Sequence, residues 1–335
     1  MFAGQPLAPR HEQTISRFGL RSLLPEEVEV IAGPGCPVCV TPTVALDRAV
    51  ELALRGVIVT AFGDLMMVPA TRMSLLEAKA RGGDVRVVYS VSDAVEVARR
   101  NPDREVVFVS VGFETTAPTT ASELLRGVPE NFSVMCYHRL IPPAMELLLG
   151  IGDIHIDGFI CPGHVAAIIG VKAFRIFAEA YKMPTTIAGF EPNDVLLAIL
   201  MLLRQLRDGE AMCENEYSRV VREEGNLKAQ QFIDEVYDIA TADWRGIGRI
   251  PQSGLTLKKE FEDFDAEKRY EFTSMKHVDI NPGCNCHLVM IGKIYPPECR
   301  LFGKVCTPQK PYGPCMVSSE GTCRIYYKYG ERPKL

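Results

Sequence analysis

At 335 residues the chain is longer than one ordinary core, and two or three domains are expected. A net charge of −5 and the lack of a basic stripe give no case for nucleic-acid binding. The longest apolar run, residues 195–203, falls far short of a membrane span, and the first residues carry no export-signal pattern, so the sequence predicts a cytoplasmic protein with no membrane partner.

From about residue 28 to 207 short apolar runs alternate with helical periodicity. Strands are predicted at 29–32, 57–61, 85–89, 106–111, 133–137, 159–161 and 185–188. Helices are predicted at 43–55, 73–81, 91–100, 119–126, 142–149, 165–181 and 193–207. Strands alternating with helices imply parallel sheets, and seven strands fit two small α/β units better than one. Residues 209–243 are polar and read as a solvated bridging helix. After Trp244 glycines, prolines and cysteines accumulate and periodicity fades.

The unusual loops all follow strands. Gly35-Cys36-Pro37-Val38-Cys39 follows the first strand and Phe62-Gly63-Asp64 the second. Gly112-Phe113-Glu114-Thr115-Thr116-Ala117-Pro118, Cys161-Pro162-Gly163-His164 and Gly189-Phe190-Glu191-Pro192-Asn193-Asp194 follow later strands. Ligands of open α/β sheets bind beyond the carboxyl ends of the strands, so these loops predict one cleft between two units. Taken singly, Thr115, Thr116 and Asp194 also suit helix N-caps, and His164 and Cys161 also suit a packed core.

Eleven cysteines in a chain without an export signal point to metal binding or redox exchange rather than structural disulfides. Cys36 and Cys39 form a Cys-x-x-Cys at a strand end, a redox or metal pattern. Cys284, Cys286, Cys299, Cys306, Cys315 and Cys323 crowd the tail, and only the first two are close in sequence. Structural zinc usually takes two close pairs, whereas an iron–sulfur cluster accepts irregular spacing because each iron takes one thiolate. The spacing favours a cluster and leaves zinc open.

Residues 33–42, Gly-Pro-Gly-Cys-Pro-Val-Cys-Val-Thr-Pro, resemble the signature of the HypD family of nickel–iron hydrogenase maturation factors. Residues 112–118, Pro162-Gly163-His164-Val165, Gly189-Phe190-Glu191-Pro192 and Trp244-Arg245-Gly246-Ile247-Gly248 are similar too, as are residues 250–255, 299–308 and 313–323. The resemblance implies two α/β units facing across a cleft, expected at 1–110 and at 111–240 with the bridging helix. A cysteine-rich 4Fe–4S domain is expected at 241–335. It implies a scaffold for the Fe(CN)2CO group, working with a HypC-type chaperone and a HypE-type cyanide donor. Cys284, Cys299, Cys306 and Cys323 match the cluster ligands, and Cys286 and Cys315 match a thiol pair beside it. Cys36 and Cys39 match the cleft exchange pair and are candidate ligands of a cleft iron. His164 and Glu114 match polar cleft residues. The family's Cys-Gly-Gly-His segment departs here: His11 aligns with its histidine, but Ala8 stands where its iron-holding cysteine should be. A stand-alone iron–sulfur disulfide reductase is the alternative.

Overall fold

The computed structural model describes residues 2–7, 9–151 and 155–330. Ala8 lies outside them. Two all-parallel sheets and one hairpin form the framework. The strands are β1 (Phe2–Leu7), β2 (Val28–Ala32), β3 (Ile58–Phe62), β4 (Val85–Val88), β5 (Val106–Gly112) and β6 (Phe132–His138). They continue with β7 (Phe159–Pro162), β8 (Thr185–Ala188), β9 (Cys213–Asn215), β10 (Tyr237–Trp244) and β11 (Gly248–Leu257).

One sheet runs β2-β1-β7-β8-β9 and the other β4-β3-β5-β6, so the expected pair of α/β units is present. Strand β5 reads Val-Val-Phe-Val-Ser-Val-Gly and is buried along its whole length, as a central parallel strand covered on both faces requires. Ser74 and Ser90 start the helices after β3 and β4 with reciprocal capping boxes to Glu77 and Asp93.

The division at residue 110 does not follow the sheets. The chain starts the five-stranded sheet with β1 and β2, leaves to build the other sheet over residues 58–138, and returns with β7 to β9. Alternation alone cannot reveal such a return, because periodicity records element type and not sheet membership.

Two further expectations are corrected. The helix expected over 165–181 is broken at Gly170, whose φ of +84° is a conformation L side chains rarely adopt. A Cβ there would lie 2.8 Å from the Gly225 nitrogen, so the chains cross too closely for any other residue. The bridging helix expected over 209–243 is instead β9, a shorter helix Leu227–Val236 capped by the Asn226 side chain, and β10. In β10, Ala242 and Trp244 are buried while Thr241 and Asp243 are exposed, a period of two hidden by the polarity of the segment. The β10–β11 hairpin packs on the four-stranded sheet, with an antiparallel bridge from Arg139 to Gly254. Trp244 is fully buried beneath it, donating Nε1–H to Ser253 Oγ at 2.8 Å and stacking on Phe113.

Beyond β11 regular structure thins to short turns and the helices Ala266–Arg269, Cys286–Met290 and Thr322–Tyr329. Among the described residues no helix is long and apolar enough to cross a membrane.

Candidate functional site

Four of the five predicted loops line one cavity of about 620 Å3. Gly35, Pro37 and Val38 come from the loop after β2, and Gly63 and Asp64 from the loop after β3. Thr115 and Thr116 follow β5, and His164 follows β7. Ser318, Ser319 and Glu320 of the cysteine-rich segment close the far side. The fifth loop stands behind, with Phe190 packed against both His11 and His164. Gly112 makes the close turn after β5 feasible, since a Cβ there would lie 2.8 Å from Thr116 Cβ.

Cys36 and Cys39 sit beside this cavity, nearly and fully buried respectively, and are joined as a disulfide with Cα atoms 5.3 Å apart. In that state neither sulfur is a free iron ligand; an iron there requires the reduced pair. The Cys39 N–H donates to Cys36 Sγ at 3.3 Å, a contact that stabilises negative charge on Cys36 once the bond opens.

The helix Pro37–Val40 packs against the turn Pro314–Met316, which carries Cys315. The two cysteine groups therefore meet in one buried cluster, although they lie almost three hundred residues apart in the chain. Further links fix this juxtaposition. The Thr43 N–H donates to Asp279 Oδ1 at 2.8 Å, and the Ser318 hydroxyl donates to Asp64 at 3.1 Å. Arg10 pairs with Glu320 at 3.2 Å.

All six tail cysteines are buried. Two of their contacts join cysteines near in sequence. Cys284 accepts a hydrogen bond from the Cys286 thiol, which holds Cys284 down to about 7 and drives Cys286 up. Cys323 stands in the same relation to Cys315, holding it down, and its N–H also points at Cys315 Sγ at 3.5 Å. Cys286 lies within electrostatic reach of Cys315, and Cys306 of both Cys284 and Cys299. The Tyr312 N–H donates to Cys306 Sγ at 3.3 Å.

This donor set fits an iron–sulfur cluster. Among the described residues no three Cys, His, Asp or Glu side chains converge as a single ion needs. All six thiols are buried, and Cys284, Cys286, Cys306, Cys315 and Cys323 share one core cluster with Cys36 and Cys39. A Cβ on Gly313 would stand 2.7 Å from Cys284 Sγ and 3.6 Å from Cys286 Sγ, so a bare backbone is kept at the sulfurs. Cys284, Cys299, Cys306 and Cys323 are the residues that would hold the cluster.

Glu114 and His164 are both near the cleft, in unlike states. Glu114 is buried and accepts the Ile141 N–H on Oε1 at 2.8 Å, while Oε2 has no partner. Burial pushes its carboxyl up to about 7. Burial pushes His164 down to about 3, with His11 and Arg10 adding to the effect. His11 donates Nε2–H to the Gly189 carbonyl at 2.9 Å, leaving a buried, unpartnered Nδ1; burial lowers it to about 4. Sequence reasoning missed His138, wholly buried against Ser110 Oγ at 2.9 Å and lowered by burial to about 3. Its only sequence signal is its place at the end of β6.

Glu114 carries a pH signature. Its folded pKa is raised from 4.5 to about 7, so its protonated form suits the fold; stability is highest below pH 4.5 and falls as pH rises through 7. The loss is on the order of 3 kcal/mol, at 1.36 kcal/mol per pH unit. Glu114→Gln should remove it, so that the variant gains stability over the parent between pH 5 and pH 8 in urea titrations. The lowered histidines act oppositely, losing stability as pH falls below 6.5, and cancel in this difference. A parallel pH dependence in both proteins would contradict the assignment.

The family model described as HypD, "Hydrogenase formation hypA family", matches residues 8–330. A putative hydrogenase expression/formation protein of Methanocaldococcus jannaschii is 47% identical over 322 residues, covering 95% of this chain and 89% of its own. The hydrogenase maturation factor HypD2 of Bradyrhizobium diazoefficiens is 48% identical over 332 residues, covering 96% and 87%. HypD of Cupriavidus necator is 47% identical over 332 residues, with the same coverage.

Proposed function

Because this chain belongs to the HypD family of hydrogenase maturation factors, we propose that it is the redox scaffold on which the Fe(CN)2CO group of nickel–iron hydrogenases is assembled. A HypC-type chaperone and a HypE-type cyanide donor are its partners in this reading. The packing of the Cys36–Cys39 turn on the Cys315 turn is the observation that carries it. A scaffold that only held iron would have no use for an exchangeable dithiol packed on the turn that carries a further buried thiol.

A 4Fe–4S cluster on Cys284, Cys299, Cys306 and Cys323 would supply electrons singly, fed by a one-electron reductant of the reduced-ferredoxin class. Opening the Cys36–Cys39 disulfide breaks one S–S bond and takes up two electrons and two protons, one proton for each sulfur when both become thiols. Cys286 and Cys315, which act on each other electrostatically, would serve as a relay dithiol between the two groups. Reduced Cys36 and Cys39 are soft donors suited to low-spin iron. Bound cyanides accept hydrogen bonds, and the Thr115, Thr116 and Ser319 hydroxyls and the Arg10 guanidinium line the cavity that would receive them. Neutral His164 adds no charge there.

Ala8, at the family's iron-holding position, favours the alternative of an iron–sulfur disulfide reductase, because a methyl group cannot ligate iron. Infrared spectra of the chain in complex with a HypC-type partner separate the two. The scaffold reading predicts weak or absent cyanide and carbonyl bands with Ala8 and strong bands after Ala8→Cys. No bands in either protein would favour the reductase. Full bands from the unmodified chain would place the iron on other residues.

A further inference from the structure

A second, smaller cavity adjoins the one described above, and the function proposed so far does not use it. Its volume is about 30 Å3. The helix Ile141–Leu149 lines it with Ile141, Ala144, Met145 and Leu148, the three- and four-residue spacing of one helix face. The Glu114 carboxyl fixes the start of that helix by accepting the Ile141 N–H at 2.8 Å. Phe113, after β5, and Val165, after β7, add to the wall. His164 carries the one polar side chain among the described lining residues.

Gly35, Phe113 and His164 line both cavities. Gly35 and His164 are also the described lining residues that are not buried, which places the mouth of the small cavity at the edge it shares with the large one. Gly35 is bonded to Cys36, a candidate iron ligand. Roughly 10–15 Å3 suffices for one water, so the small cavity suits a molecule of only a few atoms. Water itself needs about two to four polar partners, and among the side chains only the imidazole offers any. An anion entering the cavity would lose its hydration without compensation. A small neutral molecule with hardly any hydrogen-bonding capacity is what such a space favours.

We propose that this cavity is a docking pocket for carbon monoxide, held as the neutral gas beside the larger cavity in which it would join the iron. This rests on the scaffold reading, which needs one neutral diatomic ligand besides the anionic cyanides. The two linings divide the task. The hydroxyls and the Arg10 guanidinium of the large cavity suit cyanide, and the apolar wall of the small one suits the gas. No bond forms or breaks in the pocket. It raises the local concentration of a ligand that leaves water readily for apolar surroundings.

The test is infrared spectroscopy of the anaerobic full chain equilibrated with 13C-labelled carbon monoxide, with xenon as a second probe in pressurised crystals. The parent should show a narrow stretch of confined, unbound gas apart from the broad one in water, and xenon should occupy the space beside Ala144. Ala144→Leu, which fills that space, should reduce both signals at least threefold. Should it fail to fold, Val165→Ile, which adds one methylene to the wall, should lower both in the same direction. In the Ala8→Cys chain with a HypC-type partner, adding Ala144→Leu should keep the cyanide bands and slow the growth of the labelled carbonyl band at least tenfold. A parent that confines neither gas, or equal carbonyl growth with the pocket open and filled, overturns the inference and leaves the scaffold reading standing. Absent cyanide bands in the Ala8→Cys chain would overturn the scaffold reading, while the confined-gas stretch still decides the pocket.

Discussion

Single replacement of Cys284, Cys299, Cys306 or Cys323 by Ala is expected to strip iron and sulfide from the anaerobic protein and unfold the segment beyond Leu257. That segment holds three short helices and scattered turns, and its cysteines are among its buried residues. It has too little regular apolar surface to offset its chain entropy. Structural metal sites contribute on the order of 10 kcal/mol to folding, so one lost thiolate outweighs any packing change nearby. Metal and sulfide analysis with amide exchange would show the effect, protection vanishing after residue 257 and persisting in the two parallel sheets. One zinc per chain and no sulfide would sink the assignment.

Cys39→Ser, made in the Ala8→Cys chain, should abolish hydrogenase maturation in a strain that depends on that chain, while leaving cluster content and fold intact. Serine keeps the volume but removes the sulfur that closes the disulfide, and a lone Cys36 cannot complete a two-electron exchange. Cys136→Ser is the control. Burial pushes the Cys136 thiol up to about 12, and it donates to the Leu255 carbonyl at 3.3 Å, so it is a packed donor and not a nucleophile. Equal hydrogenase activity in the two variants would remove the exchange role from the Cys36–Cys39 pair.

The strands were the most legible part of the chain. The strands predicted at 106–111 and 133–137 coincide with β5 and β6 to within a residue, because both are buried along nearly their whole length and read as continuous apolar runs. The loops at the strand ends were legible for a related reason, since glycine, proline and cysteine mark turns whatever surrounds them. What periodicity could not show was which sheet each strand joins. That is decided by long-range packing, as when β7 returns beside β1. The β10–β11 hairpin was masked by charged residues on its exposed face, and the positive φ at Gly246 and Gly248 that permits its turn is invisible without the partner strand. In the candidate site the cysteines announced themselves, but the contact between Cys315 and the Cys36–Cys39 turn has no local signal. His138 was equally silent, because burial of a titratable group is a property of the fold around it.

The central claim is that electrons reach the Cys36–Cys39 disulfide through the cysteine-rich domain. The most direct measurement is stepwise reduction of anaerobic protein with a one-electron donor, followed by differential alkylation and peptide mass analysis of Cys36 and Cys39. Cluster-loaded protein should release both thiols at two electrons per disulfide beyond those held by the cluster, and Cys306→Ala should keep the bond closed under the same donor. Equal opening with and without the cluster would contradict the account.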